Sequence, residues 1–189
     1  MTNSDIHSVD WIKIPPPVDD GAADHLTGMR LPNIKLPSTN GDIIDVGYLE
    51  GVTVLFAYPR TGTTQSIGLV DDWCMIPGAR GCTPQTCAFR DLAQDFMAIG
   101  VNNLFGLSTQ NSLYQKEMVE RLHVPFPILS DTGLELAHAL RLPVFQVSGH
   151  SMFKRLTLVA RDGVIEKVFY PIFPPDQNAS NVLEWLKKQ

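Results

Sequence analysis

Apolar and β-branched residues run without interruption from Val52 to Tyr58, which predicts a short strand buried on both faces. From Ala88 to Ile99 there is no proline or glycine. Phe89, Leu92, Ala93, Phe96 and Met97 recur there at helical spacing, and Gly100 ends the run. This pattern predicts an amphipathic helix. Leu104–Ser108 reads as a second strand. Ser112-x-x-Gln115 has the form of a capping box and opens a helix to about Leu122. Asp131 caps a further helix containing Leu134, Ala137 and Leu140. Two strands, Leu156–Ala160 and Val164–Tyr170, flank the hairpin signal Arg161-Asp162-Gly163. Asn178 or Ser180 opens a C-terminal helix with Val182, Leu183 and Leu186 facing inward. The order β-α-β-α-α-β-β-α, without internal repeats, predicts a layered α/β domain.

The polar stretches divide the chain. Residues 1–27 are polar, with Pro15-Pro16-Pro17 and Asp19-Asp20-Gly21, and read as a partly extended arm ahead of a single domain over 28–189. Asn40-Gly41-Asp42 marks a turn. Pro59–Gly81 is a long loop with four glycines, and loops of this length in compact domains are usually functional or mobile. At 189 residues, with 44% hydrophobic and 19% charged positions, the chain is long enough for one well-packed core. A net charge of −5 with no basic run argues against nucleic acid as a partner. The segment Met1–His7 has no apolar signal core and no stretch approaches membrane-spanning length, so no membrane association is expected. Three cysteines are too few for a disulfide scaffold, which favours functional thiols in a reducing cytoplasm. The five histidines are scattered, and none pairs with a cysteine at zinc spacing, so no metal site is expected.

Chemistry concentrates in Gly81-Cys82-Thr83-Pro84-Gln85-Thr86-Cys87. A thiol at a helix start faces unpaired backbone N–H groups and the positive end of the macrodipole, and both favour the reactive thiolate form. Extending the helical stripe back by seven from Phe89 gives Cys82, whose sulfur then points toward the core. Cys87 lies five positions on, about 140° around the helix, with Cα atoms roughly 8–9 Å apart. A disulfide needs less than about 7 Å, so closing this pair requires the first turns to unwind. On a second reading Thr83-Pro84 forms the cap and first turn, Cys82 lies just outside the helix, and less unwinding is needed. Cys74, in the long loop, reads as a structural thiol, with a role as an alternative disulfide partner as its rival.

The run Cys82-Thr83-x-x-x-Cys87-x-Phe89-Arg90-Asp91 resembles the active-site segment of the Q-type (bacterioferritin-comigratory-like, atypical two-cysteine) peroxiredoxins. Val54-Leu55-Phe56-Ala57-Tyr58-Pro59 resembles the strand and proline leading into that family's active-site loop. Phe105-Gly106-Leu107-Ser108, Pro125–Asp131 and Arg155-Leu156-Thr157-Leu158-Val159 resemble later segments in the same order, so the likeness spans about 28–188. It implies a thioredoxin-like fold, with a central mixed sheet flanked by helices. It also implies a hydroperoxide substrate, Cys82 as the attacking thiol, Cys87 as the resolving thiol, and Arg155 beside the sulfur, with Arg80 and Arg90 as rival cations. Reduction by thioredoxin or a similar dithiol follows from the same likeness, in a monomer or homodimer. Two departures stand out. The family's Thr or Ser three residues before the reactive cysteine is Ala79 here, and Pro59-Arg60-Thr61-Gly62-Thr63 supplies Pro-x-x-x-Thr with eighteen residues before Cys82. This reads as an insertion in the active-site loop. Thr63 fits the hydroxyl role by its spacing from Pro59, and Thr61 and Thr83 are its rivals. Outside the resemblance, Thr61 and Thr63 read as turn residues and Arg155 as a solvated arginine. Two other functions compete. A thioredoxin-type oxidoreductase would carry Cys-x-x-Cys, which the chain lacks. A redox sensor on the same scaffold would oxidise once instead of turning over.

Overall fold

The computed structural model describes residues 9–62, 70 and 72–189. In chain order the strands and helices are β1 (Lys35–Pro37), β2 (Ile43–Asp45), β3 (Val52–Ala57), α1 (Cys82–Asp91), α2 (Ala93–Ala98), β4 (Val101–Ser108), α3 (Ser112–Leu122) and β5 (Ile128–Ser130). They continue with α4 (Glu135–Leu140), β6 (Val144–Val147), β7 (His150–Phe153), β8 (Leu156–Arg161), β9 (Val164–Phe169) and α5 (Asn178–Leu186). A five-stranded sheet runs β5-β4-β3-β8-β9. β3 lies at its centre, parallel to β4 and antiparallel to β8. β4–β5 is parallel and β8–β9 antiparallel, so the sheet is mixed.

Every residue of β3 is buried, as its continuous apolar run predicts. Val52, Val54 and Phe56 face one core with α1, α2, α3 and α5. Leu55 and Ala57 face a second core, built by α4 and the segment carrying Leu26, Leu31, Leu36 and Val46. Alternation along the strand divides its side chains between the two cores, each large side chain contributing about 1.5–3 kcal/mol on burial. Phe56 stacks on Phe89 of α1 with ring centroids 4.1 Å apart and planes 6° from parallel. That contact ties the sheet to the cysteine helix.

Several sequence expectations need revision. The helix predicted from Ala88 to Ile99 is two helices, broken at Leu92 (φ −100°, ψ 7°), and no residue type at the break signals it. The capping box at Ser112 does not form: Asn111 caps α3 by accepting from the Tyr114 N–H at 2.9 Å. Gln115 instead donates to Ser108 and to the Leu129 carbonyl. The stretch Pro125–Asp131 contains β5, a three-residue strand at the sheet edge that the predicted order lacks. The β1–β2 and β6–β7 hairpins were absent from the predicted order. Asp131 does organise α4, its carboxylate accepting from the N–H groups of Glu135, Leu136 and Ala137 at 2.7, 3.3 and 3.0 Å. The β8–β9 turn has left-handed backbone at Asp162 (φ 48°) and Gly163 (φ 77°), the two-residue form that suits strand twist.

Candidate active site

Gly81 caps α1 with φ +106°, a backbone conformation that favours glycine. Space demands glycine as well, because a Cβ there would lie 2.6 Å from Pro175 Cγ and 2.8 Å from the Trp11 ring. Cys82 is therefore the first residue of the helix, and the reading that placed it outside, with Thr83-Pro84 as the cap, is set aside. Its side chain is 3% exposed and packs in the core that holds Val54, Phe56, Tyr58 and Phe89.

Arg155 immediately precedes β8, whose first residue pairs with the last residue of β3. It is also 3% exposed. One Nη2 group approaches Cys82 Sγ at 3.4 Å and the carbonyls of Gly78, Ala79 and Arg80 at 3.2, 3.4 and 3.1 Å. The other terminal nitrogen donates to Gln85 Oε1. Cys82 Sγ also lies 3.5 Å from the Ala79 carbonyl. Besides the sulfur, its partners are an amide oxygen and backbone carbonyls, and none of the described ion pairs includes it. A buried cation without a carboxylate is costly, so this guanidinium is an unneutralised positive charge held against Cys82 Sγ.

Sequence reasoning missed the group behind Arg155. Gln85 donates to Asn178 Oδ1 at 2.9 Å, and the Thr157 hydroxyl donates to the same oxygen at 2.7 Å. With its NH2 group engaged, the Gln85 amide must turn its oxygen toward Arg155. The signals were present: Gln85 is one helical turn from Cys82, and Thr157 shares a strand face with Arg155.

The remaining predicted residues are distributed as follows. Cys87 is buried on the opposite side of α1, on the wall of a cavity of about 150 Å³ with Val9, Trp11, Pro84 and Asp176. Burial pushes its thiol up from the ordinary value, an effect that Arg90 partly counters. Arg90 pairs with Asp91 and donates to the Leu122 carbonyl. Arg80 donates to Cys74 Sγ at 3.1 Å, so it reaches Arg155 only through its backbone oxygen. Thr61 is held by Gln110: its N–H and hydroxyl donate to Gln110 Oε1 at 3.0 and 3.2 Å, and its carbonyl accepts from Gln110 Nε2 and from Tyr114. Pro59 lines a separate cleft of about 320 Å³ with Arg60, Thr109 and His150. Thr63 lies outside the described residues.

A cysteine opening a helix, beside an arginine from a neighbouring strand of a mixed sheet, can be set against known proteins. The sequence matches the Redoxin family over residues 26–184. The chain belongs to that family. This redoxin is 25% identical over 161 residues to the chloroplastic peroxiredoxin Q of Arabidopsis thaliana, a match covering 85% of this chain. It is 24% identical over 161 residues, again 85% of the chain, to the peroxiredoxin Q of Oryza sativa subsp. japonica. The match spans 66% of each of those two plant proteins, just under two thirds of their length. Among solved structures it resembles peroxidoxin BcpB of Mycobacterium tuberculosis, with TM-score 0.69 and 27% identity, covering 86% of this chain and 96% of that one. The Xanthomonas campestris peroxiredoxin Q shares the fold, with TM-score 0.65 and 18% identity over 93% of this chain and 98% of that one. The mixed sheet with helices on both faces is thus the thioredoxin-like arrangement of these proteins.

Proposed function

We propose that this redoxin is a thiol-dependent peroxidase of the peroxiredoxin type, acting on hydrogen peroxide or organic hydroperoxides. The observation that carries the reading is the Arg155 N–H group 3.4 Å from a buried Cys82 sulfur at the first position of a helix. The Cys82 thiolate attacks one oxygen of the hydroperoxide. The O–O bond breaks, an S–O bond forms, and a proton completes the departing water or alcohol. Arg155, already donating toward the sulfur, is placed to stabilise negative charge developing on the departing oxygen. The sulfenic acid then condenses with the Cys87 thiol, releasing water and forming an intramolecular disulfide. A small external dithiol such as thioredoxin reduces that disulfide by exchange. This cycle suits a reducing compartment such as the cytoplasm.

Peroxide consumption coupled to a thioredoxin system tests the reading. Cys82→Ser should abolish turnover, and Cys74→Ser should retain it. Cys87→Ser should react once and leave a sulfenic acid that a dimedone probe traps. Normal turnover by Cys82→Ser would overturn the assignment. A wild-type protein that oxidised once and did not recycle with dithiol would be a sensor instead.

A further inference from the structure

Ahead of the Redoxin match, which begins at residue 26, Val9 and Trp11 lie against the helix that carries both cysteines. Asp10 caps a short 3-10 turn at Trp11–Lys13. The Trp11 indole N–H donates to Asp176 Oδ2 at 2.8 Å, and its ring meets Phe173 edge-on at 6.0 Å. The tip of the same ring lies over Gly81, the residue before Cys82. Val9 and Trp11 form one wall of the cavity whose other wall is Pro84, Cys87, Ala88 and Asp91. The arm thus spans the first two turns of α1, from the cap to the second thiol.

These are the turns that must unwind before Cys82 and Cys87 can bond, because an intact helix holds Cα atoms five positions apart at roughly 8–9 Å. Firm anchors of the arm lie further along. Asp20 pairs with Lys154 and accepts from Tyr170, and Ala23 and Leu26 enter the core. Between the anchors and Trp11 stand Pro15-Pro16-Pro17, a stiff extended connector. Ile12 and Val18 are 96% and 81% exposed, so the outward face of the arm holds nothing in place. Among the described residues, the contacts of Trp11, the burial of Ile14 and the packing of Pro17 beside Gly78 hold this end down.

We propose that Asp10–Ile14 is a latch on the cysteine helix that sets the rate of disulfide closure. This rests on the roles assigned above to Cys82 and Cys87. With the latch closed, α1 stays wound and the Cys82 sulfenic acid persists. A second hydroperoxide then competes with Cys87. Its oxygen transfers to sulfur, giving a sulfinic acid and one molecule of water or alcohol. With the latch open, Cys87 condenses first and only water is released. The arm therefore divides oxidised enzyme between recycling and loss.

The test uses the full-length protein in single-turnover rapid mixing with hydrogen peroxide, followed by intact-mass analysis at rising peroxide. Trp11→Ala, which loses the indole N–H donation and the ring contacts together, should speed conversion of sulfenic acid to disulfide by more than tenfold, since one hydrogen bond to a charged group is alone worth about that. It should lower the sulfinic fraction to match, and leave the rate of the first oxidation unchanged. Trp11→Phe keeps the ring and loses only the N–H, so it should fall between, and Asp176→Ala should behave like it. Closure rates and sulfinic fractions within twofold of wild type in both Trp11→Ala and Asp176→Ala would overturn the latch. A slower first oxidation in these variants would also overturn it, by showing that the arm supports the Cys82 site itself. Absence of any Cys82–Cys87 disulfide in wild type would instead overturn the underlying assignment, and the latch with it.

Discussion

Replacing Arg155 with methionine removes a buried cation while keeping much of its length and bulk. Two effects follow and can be measured separately. The sulfur loses the N–H group at 3.4 Å, and an oxygen leaving the peroxide loses its charged donor. A hydrogen bond involving a charged group is worth about 1.5–3 kcal/mol, which corresponds to a fall of roughly 10- to 150-fold in the rate of peroxide attack. For stability, Gln85 Oε1 and the carbonyls of residues 78–80 lose their common donor. Each buried acceptor left without a partner costs about 1–3 kcal/mol. Relief from burying an unpaired charge opposes this by several kcal/mol, so the net change in stability should be smaller than the loss in rate. Arg155→Lys restores the charge without the planar fork that reaches the sulfur, the loop carbonyls and Gln85 together, and its rate should lie between the two. Stopped-flow oxidation of Cys82 gives the rate, and thermal unfolding gives the stability. An Arg155→Met rate within twofold of wild type, in a protein that still folds, would refute the idea that this guanidinium acts on the reacting sulfur.

Three further outcomes are expected. Because burial holds the Cys87 thiol neutral beyond its ordinary range, disulfide closure should keep accelerating with pH above about 8.5; a rate that levels off below that point would contradict it. Gly81→Ala should combine left-handed strain of about 1–2 kcal/mol with contacts to Pro175 and Trp11 under 3 Å, lowering both melting temperature and peroxide reactivity; an unchanged melt would argue against the cap geometry. Asp20, hydrogen-bonded by Lys154 and Tyr170, has its carboxyl held well below the usual range. Its contribution to stability is present above about pH 3.9, its unfolded value, and is lost as pH falls toward the depressed native one; Asp20→Asn should flatten that part of an acid-unfolding profile, and an unaltered profile would count against the pairing.

Those elements whose burial pattern is strong were legible from the chain alone. The unbroken apolar run of β3 and the Asp-Gly turn between β8 and β9 each have one physical solution. The hairpins β1–β2 and β6–β7 are three or four residues per strand and only partly buried, so they carry almost no periodic signal. In the site, Cys82 was marked by its place on the helical stripe, and Arg155 came from the family resemblance. Asn178 was read as a helix opener, the usual use of asparagine there. Its real partners, Gln85 and Thr157, are distant in sequence, and although Gln85 lies one turn from Cys82, nothing along the chain joins either of them to Asn178. The grip of Gln110 on Thr61 was invisible for the same reason.

The central strand belongs to two cores that do not mix. Its Val54 and Phe56 sit with the cysteine helix, while Leu55 and Ala57 sit with α4. Motion near the thiols therefore draws on only one side of the molecule. The opposite layer can act as a chassis, keeping the sheet in register while α1 winds and unwinds. On the proposed cycle, in which part of the helix comes undone each time, this division lends endurance, because the segment that opens is not the segment that remembers the fold.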